Sequence, residues 1–271
     1  MILSTNRCTF KKGTTKERIA SMKELGFTGA GAANIPDSED RDWEGFDLLA
    51  VHAPFINLDL LSDDVDARML AKQKCLDCLE WSAGVGAETV TLHPGGPGSD
   101  ACDERVDQRM KNLMLQFDRR ADRLGIWACW ETGTGYFVPL KKFEVIRELK
   151  LRRTGICLDS GHLERVWRQI SVGDEIGTFP AFIRRFKDLI KCTHLHDWID
   201  EPPRADGWQD HHMIGRGSID WHEFFSLLVE IGYNGDLLLE YHPDSYETFD
   251  ELKENLAELR HTALVAGAEI G

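Results

Sequence analysis

The chain has 271 residues, more than the ~100 to 200 of a usual domain but close to the about 250 that one (β/α)8 barrel takes. Its 32 Lys and Arg against 46 Asp and Glu leave a net charge of −14, which disfavours a general nucleic-acid surface, because neutralising phosphates needs a basic footprint. The apolar runs fall far short of the ~20 residues that span a bilayer and MILSTNRCTF has no secretory apolar stretch, so the sequence predicts a soluble, cytoplasmic protein.

Short β-rich runs alternate with longer stretches of helical period, which is the pattern of parallel βα units. In chain order the strands are predicted at Ile2–Thr5, Phe27–Ala32, Leu48–His52, Thr89–His93, Ile126–Glu131, Thr154–Asp159, Lys191–His196 and Leu237–Tyr241. Most are too apolar to be half exposed, so both faces should be covered. Helices are predicted at Thr15–Leu25, Asp64–Gly84, Arg105–Leu124, Lys141–Leu149, Phe179–Leu189, Trp221–Ile231 and Tyr246–Ala266. Gly26, Gly125 and Gly232 each follow a helix, where a left-handed cap favours glycine. Eight such units with right-handed crossovers predict an α/β fold, one TIM barrel over residues 1–271, in preference to an open doubly wound sheet. The stretch Asp197–Gly217 is long for a βα loop, and loops of that length usually serve function. Seven cysteines scattered through apolar stretches read as reduced core thiols; Cys75 and Cys78 form a CxxC inside a helical pattern and read as packing.

From the third strand to the eighth, a metal-competent side chain stands at or next to the C-terminal end: His52, His93, Glu131, Asp159, His194 and Glu240. In a barrel these ends converge on the face that holds active sites. Three carboxylates in a partly desolvated mouth repel one another, and a divalent cation removes the conflict. Glu131, Asp159, His194 and Glu240 offer three oxygens and one nitrogen, a set that suits Mn, Mg, Co or Zn and selects poorly among them. Each has a plainer reading, as a helix cap, a loop hydrogen-bonder or a satisfied buried histidine. His194 and His196 share a face of their strand, which makes one a ligand candidate and leaves the other to support it or to meet substrate. His162, three residues beyond Asp159, can reach back into the mouth, and His211 and His212 lie in the long loop. The glycines of HPGGPG read as a tight turn, with an anion-binding turn as the alternative. Phe55, Trp130, Trp198 and Trp208 are candidate pocket walls, Trp130 with the alternative of facing the helix layer.

Taken in order, VHAPFINL, HPGGPG, ETGTG, LDSGH, HLHD, HHMIGRGSIDW and LLLEYHP resemble the xylose isomerase-like TIM-barrel superfamily, which includes sugar phosphate isomerases and epimerases and the endonuclease IV group. In the isomerase branch the resemblance implies one divalent metal held by Glu131, Asp159, His194 and Glu240. It implies Glu131 and Glu240 as proton-transferring residues and His162 near substrate hydroxyls. The activity implied is isomerisation or epimerisation of a sugar, sugar phosphate or related polyol ketone through an enediolate, on a small carbohydrate-like substrate. A dehydratase or lyase could use the same centre, and assembly into a homo-oligomer is left open. The endonuclease IV branch implies instead a multi-zinc phosphodiesterase acting at abasic DNA. His52, His93, His162 and His211 stand at ligand-like positions for it, with a second metal at His52, His93 and Glu131. Against that branch, Gln209 stands where an acidic residue is expected, with Asp210 its near substitute. Two departures touch the isomerase branch: FTGAGAAN lacks the expected acid, and Arg216 replaces a frequent Glu. Arg216 is either a binding fork for a phosphate or carboxylate or a surface charge.

Overall fold

Strands that carry apolar residues on both faces can leave neither face to water, and this chain meets that demand by closing its sheet. The computed structural model describes residues 1–6, 9–10, 14–33, 43, 45–95, 103–170, 179–200 and 209–271. Its strands are β1 (Ile2–Asn6), β2 (Gly29–Ala33), β3 (Asp47–His52), β4 (Thr89–Leu92), β5 (Trp127–Glu131), β6 (Thr154–Asp159), β7 (Ile190–Leu195) and β8 (Asp236–Leu239). Each pairs in parallel with the next, and β8 returns to β1 with Ser4 opposite Leu238, so no edge remains. The helices are α1 (Thr15–Glu24), α2 (Val65–Gly84), α3 (Glu104–Leu124), α4 (Glu144–Glu148), α5 (Ser160–Ile170), α6 (Phe179–Phe186), α7 (Trp221–Glu230) and α8 (Phe249–Val265). The architecture is the predicted (β/α)8 barrel. No helix among the described residues is long and apolar enough to cross a membrane.

Local chemistry sets the helix starts. Asp64, Asp103, Asp220 and Thr248 each accept a hydrogen bond from the first turn of the helix they precede, and Thr14 and Glu17 form a reciprocal capping box. Gly125 ends α3 in the left-handed conformation, φ 76°, as its position after the helical pattern predicts. Cys75 and Cys78 are buried on the inner side of α2, and burial pushes both thiols up to about 12, so they pack as unreactive core groups.

Three details differ from the sequence reading. Helix α5 follows β6 with no intervening turn residues, so no punctuation announced it. The helix expected over residues 141–149 is a 3-10 turn, Leu140–Phe143, running into the short α4. Trp130 belongs to the helix layer: it lies 5.7 Å from Phe117 on α3, because alternation along β5 sends it opposite to Glu131.

The same alternation fills the barrel in layers. Cys129, Cys157 and Cys192 sit two residues before Glu131, Asp159 and His194 and form a buried thiol layer beneath them. Nearer the floor, Asp236 is buried, accepts a hydrogen bond from the Ser4 hydroxyl through Oδ1 and leaves Oδ2 without a partner. Burial pushes its carboxyl up to about 7, against the Ser4 hydrogen bond, which lowers it. A folded-state value above the unfolded ~3.9 means that stability is greatest at low pH, declines as pH rises towards 7 and is level above that. Three units correspond to roughly 4 kcal/mol as an upper bound. Asp236→Asn should therefore unfold at higher urea than the parent at pH 8, and by a clearly smaller margin at pH 5. Equal midpoints at both values would rule out the buried proton.

Candidate metal centre and active site

Six strand ends deliver their polar residues to one mouth. Asp159 is buried at the end of β6, where its Oδ1 also accepts the backbone N–H of His162 at 2.7 Å, so the residue just before α5 holds His162 at the mouth. Glu131 ends β5 fully enclosed, and its two oxygens face different neighbours. Oε1 lies 3.2 Å from His194 Nδ1 and 3.3 Å from His162 Nδ1. Oε2 lies against His93 Nε2 and 3.3 Å from His52 Nε2. His194 Nδ1 is in turn 3.2 Å from Glu240 Oε2 and 3.8 Å from Asp159 Oδ2. The four residues expected to share one cation therefore converge, and His52 and His93 join them through the far oxygen of Glu131.

The outward nitrogens fix which atom each ring presents. His52 Nδ1 lies 2.8 Å from the Ala53 carbonyl, an acceptor, so it carries the proton and Nε2 faces the carboxylates. The Thr91 hydroxyl is 3.3 Å from His194 Nε2, which leaves Nδ1 directed at Glu131 and Glu240. His162 Nδ1 is buried with no hydrogen bond of its own, beside Glu131 and Asp159. Rings held from behind, with the other nitrogen turned to carboxylates, are an arrangement that suits a divalent cation once the facing protons leave. Among the described residues four overlapping groups have donor atoms mutually within 4.8 Å: His162, His196 and His211; His52, Glu131 and His194; Glu131, Asp159 and His162; and Asp159, His194 and Glu240.

Protons do the compensating when no cation does. Burial alone raises the Glu131 carboxyl, but His93 and His194 outweigh it and hold it well below the usual carboxylate range. Burial lowers His194, and Glu240 with Glu131 reverses this, driving it up to about 10. His162 is likewise raised well above its ordinary value, against burial, by Asp159, Asp210 and Glu131. His93 is lowered by burial in spite of Glu131.

Asn6 and Arg165 escaped the sequence reading, whereas Asp210 is named there as the near substitute for Gln209. Asn6 donates to Glu240 Oε1 at 3.3 Å because barrel closure sets the end of β1 beside β8; their separation of 234 positions hid the contact. Asp210 takes the acidic place that Gln209 leaves open, with Oδ1 3.0 Å from His211 Nδ1 and Oδ2 3.5 Å from His162 Nε2. Arg165 donates to the Gly133 carbonyl at 2.7 Å and reaches within 3.7 Å of Asp210, tying α5 to two loops at the rim. Phe55 walls the mouth, its ring 4.5 Å from that of His93 and 4.7 Å from that of His52. Trp198 is buried away under Arg168. Arg216 turns from the site: it is 54% exposed and lies 3.8 Å from Glu251 on α8. Gly96, Pro97 and Gly98 of HPGGPG, and Trp208, lie outside the described residues.

Residues 38–262 match the family model of the xylose isomerase-like TIM barrel. The uncharacterised protein MJ1311 of Methanocaldococcus jannaschii is 26% identical over 204 residues, 71% of this chain, and the chain spans 64% of that protein's length. Similar solved structures include the 3-keto-D-glucoside 4-epimerase YcjR from E. coli, with TM-score 0.77, 16% identity, and 96% and 99% of the two chains covered. A D-tagatose 3-epimerase-like protein superposes with TM-score 0.75, 20% identity, and 99% and 100% covered. The IolI protein with a bound zinc atom gives TM-score 0.76, 16% identity, and 98% and 99% covered. At these identities the likeness is one of fold.

Proposed function

The chain belongs to the xylose isomerase-like TIM-barrel family, and on that footing we propose that it is a divalent-metal-dependent isomerase or epimerase of a sugar, sugar phosphate or related polyol ketone. The observation that carries the reading is a pair of carboxylates sharing one partner: Glu131 Oε1 and Glu240 Oε2 each lie 3.2 Å from His194 Nδ1. Two acid/base groups around one centre are what moving a proton on and off a carbon next to a carbonyl needs. The named epimerases among the similar structures support the substrate class. Glu131, Asp159, His194 and Glu240 would hold the cation, which when bound supplies Lewis-acid polarisation of a carbonyl and its neighbouring hydroxyl.

In this reading one of Glu131 and Glu240 takes the substrate proton and the other returns it. Glu131, held ionised by its imidazole neighbours, is the group prepared to accept. Asn6 steadies Glu240 through Oε1, leaving Oε2 towards the centre. His162 stands where substrate hydroxyls would arrive, and Phe55 beside His52 and His93 helps exclude water that would compete for the proton. The test is exchange: with Mn2+ or Co2+ in D2O, a panel of ketoses and their phosphates should incorporate deuterium at the carbon beside the carbonyl and yield the epimer or aldose. Absence of exchange across the panel in fully metallated protein overturns the assignment.

A second reading has its own observation. The Glu131 carboxylate faces His52 and His93 with one oxygen and His162 and His194 with the other, a shape suited to bridging two cations. A bridging carboxylate has no oxygen left for proton transfer, so the two readings exclude each other at this residue. One metal per chain favours the isomerase; two or three zinc ions with cleavage of an abasic duplex favour the phosphodiesterase.

A further inference from the structure

His196 has a ring nitrogen within 4.8 Å of nitrogens of His162 and His211, yet its contacts assign it different work from those neighbours. We propose that His196 is a positioning residue, neither metal ligand nor substrate contact, that holds the Asp159 carboxylate in place and links it to the loop after β7. This rests on the reading of Asp159 as a cation ligand given above.

The backbone N–H of His211 donates to His196 Nδ1 at 2.8 Å. An acceptor at Nδ1 must keep its lone pair there, so the proton of the neutral ring sits on Nε2. Nε2 then donates to the Asp159 carboxylate at 3.0 Å. Both nitrogens are committed, and none is left for a cation. The His211 ring lies flat over the His196 ring, centroids 4.0 Å apart and planes within 9°, covering one of its faces.

The surroundings are built for this one orientation. Asp159 accepts from the ring, and the next residue, Ser160, takes the His196 backbone N–H on its Oγ at 3.0 Å while its hydroxyl donates to the His196 carbonyl at 2.7 Å. The residue after that, Gly161, leaves the space: a Cβ there would stand 2.2 Å from His196 Cε1. Three consecutive residues of LDSGH thus hold one histidine just past the end of β7.

The other side is equally held. His211 has φ 59°, a left-handed conformation uncommon without glycine, and this aims its amide at the ring. The loop that imposes it is pinned by the buried Asp197, whose Oδ1 accepts from Trp198 N and Ile219 N and whose Oδ2 accepts from Gly215 N and Trp221 Nε1. The Asp197 backbone exchanges both hydrogen bonds with His212. The path from loop to ligand therefore runs from Asp197 through its backbone pair with His212 to the adjacent His211 amide, then to His196 and Asp159.

The test separates the two nitrogens. His196→Gln keeps a donor near Nε2; His196→Asn keeps an acceptor near Nδ1 and loses that donor; His196→Ala loses both. Mn2+ binding read by EPR should keep its stoichiometry in all three, with affinity weakened about 10- to 100-fold in the Asn and Ala variants and restored to within a few-fold by Gln. In the metal-free parent, imidazole 15N shifts should show His196 with Nε2 protonated and Nδ1 bare. Loss of one metal equivalent would make His196 a ligand, unchanged affinity in the Ala variant would make it packing, and a ring protonated on Nδ1 would break the lock; each overturns the proposal, as would a parent that binds no divalent cation. None of these readouts needs turnover, so an enzyme silent on every ketose would sink the functional reading and leave this one standing.

Discussion

Glu131→Gln should lower kcat at saturating metal by about 10³-fold or more on whichever ketose the parent turns over, within the range that positioned proton transfer contributes. Two effects combine. The amide cannot take a proton, so whichever half of the transfer Glu131 performs is lost. It also replaces a buried anion that faces four imidazoles, His52 and His93 on one oxygen and His162 and His194 on the other. Without that charge His194 and His162 keep Glu240 and Asp159 but lose one of the partners that raise them, and their protons leave at lower pH. The variant should fold, because the amide is nearly isosteric, and a thermal melt checks this. Steady-state kinetics at several metal concentrations separate the two losses: weaker metal binding is recovered by added metal, and the proton-transfer defect is not. Parent-like kcat at saturating metal would remove Glu131 from the chemistry.

Stripping the cation should abolish turnover and measurably loosen the fold, both reversibly. Asp159, Glu131 and Glu240 are grouped about His194, and three like charges in a buried mouth cost free energy that only protons or a cation offset. Binding a cation to the folded state alone adds RT ln(1 + [L]/Kd), about 2.7 kcal/mol at a hundredfold excess over Kd. For a chain of this size that is a rise in Tm of roughly 5 to 10 °C. A chelator followed by readdition of Mn2+, Co2+, Mg2+ or Zn2+ tests it by differential scanning fluorimetry and activity together. Binding must also expel protons from histidines raised in the metal-free chain, so affinity should strengthen with pH. A Tm indifferent to all four ions would mean that the mouth is compensated by protons alone.

The two results bear on each other. If one cation suffices, the Oε2 side of Glu131, towards His52 and His93, is free to exchange protons. If a second binds there, the same carboxylate becomes a bridge and the chemistry changes class. Elemental analysis of purified protein is therefore the measurement that decides which half of the site does the work.

What the chain determined by itself is periodic and local. Alternating apolar runs placed the eight strands, polar caps and glycines placed most helix ends, and a polar residue at successive strand ends marked the mouth, because in a parallel barrel every strand points its C-terminus the same way. Parity along β5 even held the answer for Trp130, opposite Glu131 on the same strand. Tertiary structure decided whatever depends on a partner distant in sequence: Asn6 reaching Glu240 across the closure of the barrel, Asp210 standing in for Gln209 through the backbone turn at His211, Arg216 pairing with Glu251 away from the site, and His196 rather than His194 turned to the loop. Hydrogen bonds are short and directional, so which of two neighbouring residues makes one is settled by a few tenths of an ångström of backbone, and no spacing in a sequence encodes that.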